Sequence, residues 1–166
     1  MHIGRVPVVT EAGGQVQVFA GTYGGASSPA PYFSNLLGLD VEVHSQSTLT
    51  LALDPTHEHA LLVLEGEGRL QDDRPIEKGF LYYLGTQRSA LDVHSDAGGR
   101  FLLIGGPPFP ETILMWWNFV ARSPGEIAEA RTNWEEGREF GVVRGEHAPR
   151  LRAPDLVRFA RPNPAS

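Results

Sequence analysis

Short runs of alternating polar and apolar residues recur along this chain, and Gly and Pro separate them. Gln15 to Ala20 (QVQVFA), Leu39 to His44 (LDVEVH) and Thr48 to Leu53 (TLTLAL) alternate with a period of two. That period places successive side chains on opposite faces, which is the mark of a half-buried strand. His59 to Leu64 (HALLVL) is denser and is closed by Gly66 and Gly68. Phe80 to Leu84, Ala90 to His94 and Phe101 to Ile104 extend the series to about eight strands. With 19 Gly and 13 Pro between them, strands spaced roughly 8–12 residues apart predict an all-β sandwich or closed barrel.

The texture changes after Pro107 to Pro110 (PPFP), a stiff connection. Ile113 to Val120 (ILMWWNFV) reads as one strand or packing segment. Ser123-Pro124-Gly125-Glu126 is a helix start: a capping Ser, Pro at the first turn, and Glu three residues after the Ser. Ile127, Ala130 and Trp134 then share one face, and Gly137 ends the segment. A short helix over about 123–136 is expected. The reading is one domain over 1–144, followed by a Pro- and Arg-rich tail over 145–166 that packs as a strap or stays solvated.

Composition excludes several chemistries. There is no Cys, so disulfides, thiolate metal sites and Cys nucleophiles are ruled out. The net charge is −6 without a basic stripe, which argues against direct nucleic-acid binding. No apolar run approaches the ~18 residues of a membrane span, and MHIGRVPVVTEAGG carries no apolar signal core. The expected location is the cytoplasm.

Phe101 to Trp134 (FLLIGGPPFPETILMWWNFVARSPGEIAEARTNW) resembles the end of the second half of pirin-family proteins. Gln17 to Gly25 (QVFAGTYGG) and Val63 to Gly68 (VLEGEG) are similar to the family's entry strand and its "LEGE" strand end. The resemblance implies a cupin jelly roll, or double-stranded β-helix, with one short C-terminal α-helix. Pirins are two tandem cupin barrels, and the N-terminal one holds non-haem iron with three His and one Glu. Quercetin 2,3-dioxygenase activity and a transcriptional cofactor role are attributed to the family. The chain begins where the second barrel begins, so the metal-bearing half is expected to lie outside it.

Two groups of residues in this half are candidates for a site. His57 and His59 flank Glu58, and strand alternation puts both imidazoles on one side. His94-Ser95-Asp96 is similar to the family's later His-Ser-Glu ligands. A divalent metal, Fe(II) foremost, held by His57, His59, His94 and Asp96 is one reading, with Glu58 as the proton acceptor and His44 as a further candidate. The alternative is that these are solvated or packed histidines. Against the family pattern the His57–His59 pair is shifted, because five residues separate His59 from Glu65.

Two functions follow. One is a non-catalytic binding or assembly module, forming a homodimer or packing on another cupin domain. The other is an iron-dependent dioxygenase of quercetinase type acting on a small aromatic ligand. The enzyme needs the histidines to converge on one ion at ~2.0–2.2 Å, whereas the module needs an apolar-lined barrel with the histidines diverging.

Overall fold

A computed structural model describes residues 5–145 and 148–156. Its strands are β1 (Val8–Glu11), β2 (Gly14–Ala20), β3 (Thr22–Tyr23), β4 (Ala26–Ser27), β5 (Leu37–Val43), β6 (Ser47–Ala52) and β7 (Glu58–Gly66). They continue as β8 (Gly68–Leu70), β9 (Pro75–Ile76), β10 (Leu81–Gly85), β11 (Ala90–Ser95), β12 (Gly99–Gly106), β13 (Leu114–Trp116) and β14 (Phe119–Ala121). One helix, α1 (Pro124–Glu135), follows. The chain forms two compact units, divided between Pro108 and Phe109.

The first unit is a two-sheet jelly roll. A six-stranded antiparallel sheet runs β1-β2-β5-β12-β7-β10, and a four-stranded one runs β6-β11-β8-β9. The alternation read from the sequence is the burial pattern: Val16 and Val18, Leu39 and Val41, Leu49 and Leu51, Leu91 and Val93, and Phe101 and Leu103 are all fully buried. These residues form a single core drawn from both sheets, each large side chain contributing about 1.5–3 kcal/mol. Of the sandwich and the closed barrel that the strand pattern allows, the chain takes the two-sheet jelly roll: among the described residues the sheets keep edges at β1 and β10, and at β6 and β9.

In the second unit, the segment read as one strand is a hairpin. Leu114 pairs with Ala121 and Trp116 with Phe119. The turn needs a left-handed residue, and Trp117 takes it at φ 50°. Ser123 caps α1 by accepting from the Glu126 amide at 3.2 Å. The Glu126 carboxylate accepts from the Arg122 amide at 2.8 Å, one residue earlier than in a standard capping box. Ile127 is fully buried and packs with Phe119 and Ala153, with Trp116, Trp117, Ala130 and Trp134 around them. The described part of the tail lies along the helix: Trp134 Nε1 donates to the Leu151 carbonyl at 2.7 Å, and the Arg150 guanidinium sits 4.7 Å from the Trp134 ring centre. Among the described residues no helix is long and apolar enough to cross a membrane.

Candidate functional site

The one inward-facing polar cluster suggested by the sequence is set up by a turn. Asp54 Oδ1 accepts from the Thr56 amide at 2.9 Å and from the Thr56 hydroxyl at 2.6 Å. The His57 amide closes the turn on the Asp54 carbonyl at 3.0 Å. The chain then enters β7, where His59, Leu61 and Val63 are buried and Leu62 and Leu64 lie on the other face. His57 and His59 therefore share the inner side, with ring centroids 6.2 Å apart.

Their surroundings differ. His57 Nε2 accepts from the Asn35 amide at 3.3 Å and lies 3.7 Å from Asp54 Oδ2. His59 is 1% exposed, yet neither ring nitrogen has a hydrogen-bond partner among the described residues. Burial, and then the neighbouring His57, push its pKa down, with Asp54 opposing. The ring is neutral at pH 7, with one N–H and one lone pair free. Glycines flank it in the sheet: His59 is opposite Gly85 on β10 and Gly105 on β12.

The other candidates lie elsewhere. On β11, Val93 and Ser95 are buried and His94 is on the opposite face. There His94 Nδ1 is 3.0 Å from the Thr48 hydroxyl, and Nε2 is 2.9 Å from Asp96 Oδ1. Arg69 also binds Asp96, at 3.1 Å. The His94 hydrogen bond first, and Arg69 second, hold the Asp96 carboxyl below its usual range. Glu58 accepts from the Tyr83 hydroxyl at 2.8 Å on the outer face of the six-stranded sheet. His44 is exposed and borders an open groove of about 860 Å³ with Gln15, Asp40, Glu42, Glu65 and Arg100. The four residues expected to share one ion are thus split, because His94 lies on the outward face of the other sheet and Asp96 follows it in the exposed bend after β11.

The Pirin C-terminal cupin domain model matches residues 38–141. The chain belongs to the pirin family. "Putative quercetin 2,3-dioxygenase PA1205" of Pseudomonas aeruginosa is 43% identical over 156 residues, which is 93% of this chain and 49% of the relative. "Putative quercetin 2,3-dioxygenase PA2418" of the same organism is 30% identical over 75% of this chain and 43% of the relative. A crystal structure of quercetin 2,3-dioxygenase from Acinetobacter baumannii superposes with a TM-score of 0.82 at 31% identity, covering 92% of this chain and 51% of that one. This pirin C-terminal cupin spans about half the length of the curated relatives it matches.

The pirin resemblance implies iron, and the residues of this cupin do not fit it. An imidazole-bound ion lies ~2.0–2.1 Å from nitrogen and so roughly 3.2 Å from the ring centroid, which puts two rings on one ion at tetrahedral or cis-octahedral angles roughly 4.5–5.2 Å apart. The His57 and His59 rings are farther apart than that. Among the described residues no group of three His, Asp or Glu side chains is placed to hold an ion. The sequence reading missed Asn35 and Asp54, which position His57, and Gly105, which makes room for His59. Asp54-Pro55-Thr56 carries a local turn signal that could have pointed to Asp54, but the approach of Asn35, 22 residues away, left none.

Proposed function

We propose that this chain serves a reaction of quercetin 2,3-dioxygenase type as its C-terminal cupin, and that it holds a small aromatic, hydroxyl-bearing ligand and does not ligate the metal. The observation that carries this is His59, a neutral, buried imidazole whose two nitrogens have no hydrogen-bond partner among the described residues. A phenolic hydroxyl supplies what either nitrogen lacks, since it can donate to the lone pair of one or accept from the N–H of the other. His57 and Asn35 stand beside it as further polar contacts. The names carried by the relatives support the reaction class, and the outward direction of His94 favours a cupin without its own metal.

The test is titration with quercetin, read by fluorescence quenching and calorimetry. One site per chain is expected, weakened about tenfold or more by His59→Leu and unchanged by His94→Ala. After incubation with excess ferrous iron and dialysis, elemental analysis is expected to find far less than one metal per chain. An absence of quercetin binding overturns the proposal. So does about one metal per chain that is lost in both His57→Ala and His94→Ala, which would return the chain to a self-contained metalloenzyme.

A further inference from the structure

The outer face of the six-stranded sheet is divided into an apolar and a polar half by strand register. One row across it reads Leu81, Leu62, Leu102, Asp40, Gln17 from β10 to β2. The next reads Tyr83, Ala60, Ile104, Gly38, and the Phe19 ring lies over Gly38, where a side chain of any size would strike it. The apolar half is open: Leu81 and Tyr83 are 58% exposed, Ile104 40% and Phe19 37%. The polar half is already paired. Arg100 Nε donates to Asp40 Oδ1 at 2.8 Å, and the Gln15 amide donates to Glu42.

We propose that this face is where two copies of the chain meet, as an isologous dimer. Area is the first argument. The four exposed side chains leave roughly 400 Å² of apolar surface in one patch, the upper range for a monomer. With half-buried Leu62, Leu64 and Leu102 the apolar half comes to roughly 500 Å² per copy, so the pair buries about 1,000 Å², the lower bound for a specific interface. Charge is the second argument. Asp40, Glu42 and Glu65 against Arg100 leave the polar half net acidic. A two-fold axis through the apolar half lays Leu81 and Tyr83 of one copy on Ile104 and Leu102 of the other. The same operation carries the two acidic halves to opposite rims, where they stay solvated and apart. This dimer does not depend on the ligand proposed for His59.

Sedimentation equilibrium over about 1 to 200 µM chain tests it. A reversible dimer is expected, with its dissociation constant raised about tenfold or more by Tyr83→Lys and by Ile104→Lys, and unchanged by Gln71→Lys on an exposed turn of the other sheet. Circular dichroism confirms that each variant is folded, and the milder Tyr83→Ser serves if a lysine is not tolerated. A monomer throughout the range overturns the proposal, as does a dimer indifferent to residues 83 and 104. A monomer that binds the separately produced N-terminal half of a relative assigns the face to that partner, and also overturns it.

Discussion

The ring of His59 rests on the backbone of Gly105: a methyl group at 105 would lie 2.5 Å from Cδ2 and 3.1 Å from Nε2. Gly105→Ala therefore has to displace the buried imidazole. We expect a cost of about 1–3 kcal/mol, which lowers Tm by roughly 2–10 °C. His59→Ala in the Gly105→Ala background should recover part of that loss. A double-mutant cycle by thermal denaturation checks this, and simple additivity would show that the two residues do not share the space.

His59 also makes stability depend on pH. Its folded pKa lies below the unfolded value of about 6.5, because burial and then His57 disfavour the charged ring. Between the two values the unfolded chain binds the extra proton, so stability rises with pH. The contribution is complete above pH about 6.5 and is lost as pH falls through the folded pKa. Urea titrations between pH 5 and 7.5 should show this decline, and His59→Leu should flatten it. An equally steep decline in the variant would remove His59 as the cause.

His94 should behave differently. Its bonds to Thr48 and Asp96 lie on an exposed outer face. Exposed pairs of this kind contribute little. His94→Ala is expected to shift Tm by less than about 2 °C, measured beside His59→Ala, for which the loss of packing is larger.

The second unit depends on Ile127 and Ser123. Ile127 is fully buried between the hairpin and the tail. Ile127→Ala should cost that unit about 2–5 kcal/mol, and Ser123→Ala about 1 kcal/mol through loss of the cap. Hydrogen exchange at the α1 amides, which reports each unit separately, should show faster exchange in both variants and the larger change for Ile127→Ala.

Much of the architecture was legible in local pattern. The three period-two runs became β2, β5 and β6 with their apolar residues inside, and the Ser-Pro-Gly-Glu signal marked the start of α1 within a residue. These features depend on side chains adjacent or a few positions apart, where sequence spacing dictates geometry. The hairpin at Trp117 was not legible, because nothing in ILMWWNFV announces a left-handed tryptophan.

The sequence by itself determined that the chain is a two-faced β structure with one capped helix, and that His57 and His59 point the same way. Alternation along one strand is sufficient for that. Tertiary structure alone decided that His94 and Asp96 belong to a different surface. It also placed Gly105 beneath His59, and it gathered Phe19, Leu62, Leu81, Tyr83, Leu102 and Ile104 onto one face. Each of those relationships depends on the pairing register between strands distant in sequence, and a slip of one residue in that register would turn every side chain over.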